Sequence, residues 1–141
     1  MRDPTWVKID LTGKAVCAVV GPQNCGKSTL VKYLVNRLRS SETCTPQTKL
    51  CVLDVDCGQP TYSLPGTIAL HQVSTKSCQS VKPELVTLRE VFMNSANPAL
   101  DPETYLDVIT ELLEVFQSLT GSSKKLIVNT CGWVDGLGAE I

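Results

Sequence analysis

The stretch Gly21-Pro22-Gln23-Asn24-Cys25-Gly26-Lys27-Ser28 fits the pattern G-x-x-x-x-G-K-[ST] at every fixed position, and Thr29 follows it. Upstream lies the apolar run Ala15-Val16-Cys17-Ala18-Val19-Val20; downstream, Leu30, Val31, Leu34, Val35 and Leu38 recur at helical spacing. Strand, glycine loop and helix are the setting in which such a loop cradles phosphate. Gly21 and Gly26 let the backbone curl until successive N–H groups face one anion. The first N–H groups of the helix lack intrahelical partners and form its positive dipole end, so a phosphate suits them on both counts. Lys27 adds a mobile charge for β- and γ-phosphates, and the Ser28 hydroxyl can ligate Mg²⁺. Residues 21–29 are therefore the expected contacts of a nucleoside triphosphate. The alternative, a glycine turn feeding a surface helix, is disfavoured by the match at all four fixed positions.

A second apolar run, Leu50-Cys51-Val52-Leu53, stops on acids at Asp54-Val55-Asp56-Cys57-Gly58-Gln59-Pro60. An apolar strand ending in Asp, downstream of a phosphate loop, suits a carboxylate that faces Mg²⁺ or the nucleophile. If the strand continues, Asp54 and Asp56 point the same way. An Asx-type turn closed by Gly58 and Pro60 reads the same residues without chemistry. Beside the phosphate loop, the functional reading leads. A third buried run, Leu126-Ile127-Val128, enters Asn129-Thr130-Cys131-Gly132-Trp133-Val134-Asp135-Gly136. Trp133 on such a loop is either core packing or a stacking platform for a nucleobase.

The elements that must position these groups read as follows. Residues 1–14 form a lead-in with weak alternation at Trp6, Val7, Ile9 and Leu11. The first helix runs from Lys27 to about Arg39, where Arg37 and Arg39 suit the dipole and are expected to be a solvated end. A short strand at Thr67–Leu70 follows Pro65-Gly66, with the single histidine, His71, just past it in a surface or strand-end role. Leu85–Phe92 leans to strand on its β-branched residues and Phe. Asp101 caps the next helix, with Pro102 at its first position and Glu103 in its first turn. Leu106, Ile109, Leu112, Leu113 and Phe116 are expected to line its apolar face, with Glu103, Asp107, Glu111 and Glu114 opposite and Gly121 as its stop.

One domain is expected for 141 residues, and 43% hydrophobic with 19% charged residues is ordinary for a globular chain. A net charge of −1 provides no overall electrostatic footprint for nucleic acid, which leaves a local groove. Seven cysteines, an odd number without a C-x-x-C pair, point to reduced thiols and an intracellular protein. No long apolar stretch follows Met1, so neither a signal peptide nor a membrane span is expected.

Three stretches together, GPQNCGKST (21–29), DVDCGQPTYSLPG (54–66) and NTCGWVDGLG (129–138), resemble the polynucleotide 5′-hydroxyl kinases. These RNA kinases include a cleavage-and-polyadenylation factor subunit and a nucleolar pre-ribosomal-RNA kinase. The G-Q-P at 58–60 and the N-x-x-x-D-P-x-x-Y-L run at 97–106 tilt the resemblance to the nucleolar branch. It covers roughly residues 15–141 and implies an α/β fold, the P-loop NTPase three-layer sandwich with a mostly parallel central sheet. It further implies ATP and Mg²⁺ as cofactors, RNA with a 5′-hydroxyl end as partner alongside RNA-processing subunits, and a nuclear, nucleolar location. By the same likeness Asp56 activates the 5′-hydroxyl and Lys27 serves the transfer. Asp54 joins Ser28 in the Mg²⁺ shell, Gln59 lies near the RNA, and Thr130 and Trp133 clasp its terminal nucleotide.

Kinases of this family cover the triphosphate with an arginine-bearing lid and carry flanking domains. Here the arginines are 2, 37, 39 and 89, and the sequence stops at Ile141. The expectation is a P-loop core from a truncated gene product, with lid and flanking domains absent and a sheet edge uncovered. Two other classes compete. A GTP-binding switch would place D-T-x-G where Asn129-Thr130-Cys131-Gly132 stands, but the acid is Asn and no N-K-x-D occurs. A non-catalytic ATP-binding subunit of an RNA-processing complex is the other.

Overall fold

The computed structural model describes residues 4–41, 44–74 and 83–132. Its strands are β1 (Val16–Val19), β2 (Thr48–Asp54), β3 (Thr67–Val73), β4 (Leu85–Phe92) and β5 (Ser123–Asn129); its helices are α1 (Lys27–Arg39) and α2 (Pro102–Ser118). Two 3₁₀ turns, Pro4–Lys8 and Pro98–Leu100, complete the order.

The strands form one sheet in the order β1-β5-β2-β3-β4. β5 lies parallel to both β1 and β2, whereas β2–β3 and β3–β4 are antiparallel. The sheet is therefore mixed, with a parallel half that carries the phosphate loop and an antiparallel half beyond it. Alternation along β2 divides the core between two faces. Leu50 and Val52 pack with Val31, Leu34, Val35 and Leu38 of α1, while Cys51 and Leu53 pack with Tyr105, Val108, Leu112 and Phe116 of α2. Helix, sheet, helix is the expected three-layer arrangement. Covered on both faces, β2 reads as a continuous apolar run, as a central strand should.

Both helices begin where the sequence places them. Asp101 accepts from the Thr104 N–H at 3.1 Å, and Pro102 stands at the first position of α2. The buried face of α2 is rotated from the one expected: Tyr105 and Val108 are buried, and Leu106 is 41% exposed. Tyr105 turns the helix inward because its hydroxyl donates to the Val55 carbonyl at 2.9 Å. Nor does Gly121 stop the helix, since α2 ends at Ser118 with Leu119 in an extended conformation.

Two other expectations change. Arg39 is buried, not solvated, and Arg37 donates to the carbonyls of Ile9 at 2.7 Å and Trp6 at 3.3 Å, tying the lead-in to α1. Leu11 and Ile9 join the α1-side core, and the rings of Trp6 and Tyr33 stand 5.7 Å apart. His71 lies inside β3 and is buried, because the strand continues to Val73 as the partner of β4. Its ring nitrogens meet the Ser63 hydroxyl at 2.8 Å and the Thr87 hydroxyl at 3.1 Å. Among the described residues, no helix is long and apolar enough to cross a membrane.

Candidate functional site

The C-terminal ends of β1, β5 and β2 lie side by side, so the three segments that leave them meet at one rim. Ligands of parallel α/β sheets bind at such a rim. From β1 comes the phosphate loop. Gly26 takes φ 92° at the start of α1, with no side chain capping the helix. That left-handed turn suits glycine and leaves the first N–H groups of α1 for an outside acceptor. Lys27 folds back so that Nζ donates to the Pro22 carbonyl at 2.9 Å.

A cleft of about 250 Å³ opens over this loop, walled by Gln23, Asn24, Gly26, Lys27, Ser28 and Thr29 and, opposite, by Asp56, Gly58 and Gln59. Gly21, Pro22 and Cys25 shape the loop from outside that wall. A second cleft, of about 310 Å³, is lined by Gln23, Asp56, Gly58, Ala96, Asn97, Pro98, Cys131 and Gly132. Gln23, Asp56 and Gly58 belong to both. Asp56 thus stands on the partition between the phosphate-loop cleft and a neighbouring one. Its Oδ1 accepts from the Gln59 N–H at 3.0 Å, so the Asx-type turn and the position on the cleft are one arrangement.

Asp54 behaves differently. It is fully buried, its Oδ2 accepts from the N–H groups of Thr61 at 2.5 Å and Tyr62 at 3.2 Å, and its Oδ1 accepts from Asn129 Nδ2 at 2.8 Å. Burial pushes this carboxyl above its ordinary range, and the Asn129 amide with the N–H groups of Thr61, Tyr62 and Asp56 pulls partly the other way. Asp54 lines neither cleft; it pins down the loop that carries Asp56. The pairing of Asp54 with Ser28 as joint metal ligands is thus not what the geometry brings together, whereas Ser28 and Asp56 do share a cleft.

Thr130 also turns inward, its hydroxyl donating to the Val19 carbonyl at 2.8 Å and joining the end of β5 to that of β1. Gln59 borders the first cleft and not the second. Trp133 lies outside the described residues. Sequence reasoning marked 129–138 as a loop of the site but gave no individual role to Cys131, Gly132 or the 96–98 loop. Gly132 sits so close to the phosphate loop that a Cβ there would lie 2.8 Å from the Gln23 nitrogen. The Cys57 thiol donates to the Ala96 carbonyl at 3.5 Å, holding the 96–98 loop to the acidic turn. The signal for that loop was present in the N-x-x-x-D-P run, whose Asn97 caps a turn by accepting from the Ala99 N–H.

A glycine loop opening a helix at the end of a parallel strand, with a carboxylate across the cleft, defines a P-loop nucleotide-binding domain. Residues 21–141 match the family described as mRNA cleavage and polyadenylation factor CLP1 P-loop, and the chain belongs to that family. It is similar to the polynucleotide 5′-hydroxyl-kinase GRC3 of Kluyveromyces lactis, with 34% identity over 87% of this chain and 20% of that protein. The GRC3 kinase of Saccharomyces cerevisiae is 31% identical over 87% of this chain and 20% of its own length. The polynucleotide 5′-hydroxyl-kinase NOL9 of Arabidopsis thaliana is 30% identical over 89% and 35%. The chain thus spans about a fifth of the length of the fungal relatives. These are relatives on the branch that the 58–60 and 97–106 motifs favour.

Proposed function

We propose that this chain is the nucleotide-binding core of an ATP-dependent polynucleotide 5′-hydroxyl kinase. The observation that carries this reading is the position of Asp56, shared by the phosphate-loop cleft and the cleft beside it. A phosphoryl donor in the first and an alcohol in the second would meet at that carboxylate. The relatives' names give the 5′-hydroxyl end of a polynucleotide as acceptor, and RNA is the polynucleotide of this proposal.

The roles follow from the residues. Amides of 23–29 hold the β- and γ-phosphates against the positive end of α1. Lys27 leaves the Pro22 carbonyl and pairs with those phosphates. Asp56 takes the proton of the 5′-hydroxyl as its oxygen bonds to the γ-phosphorus; the bond from that phosphorus to the bridging oxygen breaks, and ADP departs. Ser28 is the residue on the phosphate-loop cleft that would hold Mg²⁺, alongside phosphate oxygens, which is the usual way this ion binds, and Asp56 is left free for the proton. When bound, Mg²⁺ would neutralise charge developing on the phosphates. Asp54 is a support for this arrangement. The uncapped start of α1 and the cation parked on a carbonyl suit an arriving anion. Gln59 and, from the resemblance, Thr130 and Trp133 remain the proposed RNA-side residues. The setting would be RNA processing, specifically of pre-ribosomal RNA in the nucleolus, together with subunits of a processing complex.

The test is transfer of label from γ-labelled ATP to a 5′-hydroxyl oligoribonucleotide by the chain and by Asp56→Asn. Label on RNA with the native chain and its loss in the variant are expected. Binding of ATP without transfer to any 5′-hydroxyl end would instead favour a non-catalytic ATP-binding subunit, and preference for GTP would favour a switch.

A further inference from the structure

We infer that Asn129 is a positioning residue, acting through Asp54 and Thr61 to set the turn that carries Asp56; the inference rests on the kinase reading for its consequence, not for its geometry. Asn129 ends β5, the strand between β1 and β2, and stands in register with Val19 on one side and Asp54 on the other. It is fully buried. Its Nδ2 donates twice, to Asp54 Oδ1 at 2.8 Å and to Thr61 Oγ1 at 3.2 Å. Its carbonyl accepts from the Val55 N–H at 3.0 Å, on the residue between the two acids. Asp54 in turn receives the N–H groups of Thr61 and Tyr62. One amide therefore holds both ends of the 54–62 loop, and Asp56 lies on the arc between them.

Stability alone does not account for this side chain. Asn129 Oδ1 is buried and accepts from no group among the described residues, an arrangement that costs the fold. A buried polar group that is only half satisfied marks a position kept for what it places. The chemistry also explains why the residue is an amide. Asp54 requires a donor here, and an aspartate at 129 would set a second carboxylate against it in a buried site, where two like charges cannot both ionise. The GTPase pattern D-T-x-G would put a carboxyl where this clamp has its amide donor.

Three versions decide the matter: Asn129→Ala, Asn129→Asp, and Asp54→Asn combined with Asn129→Asp, which restores one donor opposite one acceptor. Each is read by backbone amide exchange at Thr61 and Tyr62, by ATP affinity and by transfer rate. Asn129→Ala and Asn129→Asp should speed exchange at Thr61 and Tyr62 about tenfold or more, leave ATP affinity within about twofold, and lower kcat by about 10–100-fold, as loss of a supporting partner does. The combined version should recover slow exchange and a large part of the rate. Unchanged exchange at Thr61 and Tyr62 would overturn the inference. So would loss of ATP binding in step with transfer, which marks a strut of the whole domain. If a single variant does not fold, the combined one decides: failure to restore protected amides there sinks the clamp. A native chain that transfers no phosphoryl group ends the kinase reading, and the exchange measurement still judges Asn129.

Discussion

Lys27 Nζ lies 2.9 Å from the carbonyl oxygen of Pro22, so the cation of the phosphate loop rests on the loop's own backbone. A neutral carbonyl is a weak partner for an ammonium beside a polyphosphate. Lys27→Ala should cost about 1.5–3 kcal/mol of triphosphate affinity, the range for hydrogen bonds to charged groups, or roughly 10–150-fold. Titration with ATP measures it, and an affinity equal to that of the native chain would refute the assignment of the loop.

Gly132 offers a second route to the same loop from the far side of the rim. A Cβ there would lie 2.4 Å from Gln23 Cγ, 2.8 Å from its nitrogen and 3.0 Å from its Cα. The backbone cannot step aside as a flexible side chain could, so Gly132→Ala must push the 130–132 segment and the phosphate loop apart. We expect a loss of roughly 1–3 kcal/mol in unfolding free energy, typical of overpacking. ATP affinity should weaken as well. Urea denaturation and ATP titration of the same sample check both, and a native-like result in each would show that the contact yields easily.

His71 predicts a pH dependence. Burial holds the ring below its ordinary value of 6.5, with Glu90 pulling partly the other way. A base of depressed pKa binds fewer protons in the folded chain than in the unfolded one. Its stabilising contribution is therefore whole above pH 6.5 and declines as pH falls from there towards the folded value. The urea midpoint should drop between pH 7.5 and pH 5, and His71→Gln should flatten that part of the curve. An unchanged slope in the variant would assign the pH effect to other groups.

Thiol chemistry should distinguish the cysteines sharply. Cys25 is exposed on the phosphate loop, while Cys51 and Cys57 are buried, with thiols pushed up by burial to about 12 and about 11. The thiolate is the reactive form, so a neutral-pH alkylating agent should modify Cys25 well before either buried thiol. Bound ATP should slow that modification, and the modified chain should bind ATP poorly. Peptide mapping by mass spectrometry, with and without ATP, gives the answer; labelling of Cys51 or Cys57 ahead of Cys25 would contradict the packing.

What could be read from the sequence was whatever local chemistry decides. The span of α1 and the Asp101-Pro102 start of α2 depend on a glycine, a cap and a proline, and each stands where expected. Strand ends were less legible because polar residues hide there. β5 begins at Ser123 and includes Lys125, which is buried and donates to the Lys14 carbonyl at 3.5 Å. His71 and Arg39 were misjudged for the same reason: a polar side chain looks solvated until its partners and its packing are known. Strand direction has no local signal either, and the antiparallel β2–β3–β4 half came from the fold. At the site, glycine spacing and the acid at 56 were visible, whereas the burial of Asp54 and its bond to Asn129 join residues 75 positions apart.

Threading β5 between β1 and β2 has a consequence for how the chain comes into being. β1 is made before β5, which among the described residues is its one strand partner and whose last residue is Asn129. Until that late segment exists and docks, the strand leading into the phosphate loop has no neighbour to hydrogen-bond, and the loop has no fixed entry. Contacts this distant in sequence form late. The shape of the phosphate loop is thus set by the docking of β5: a ribosome still short of residue 129 carries the signature in its sequence and not yet the seat for it.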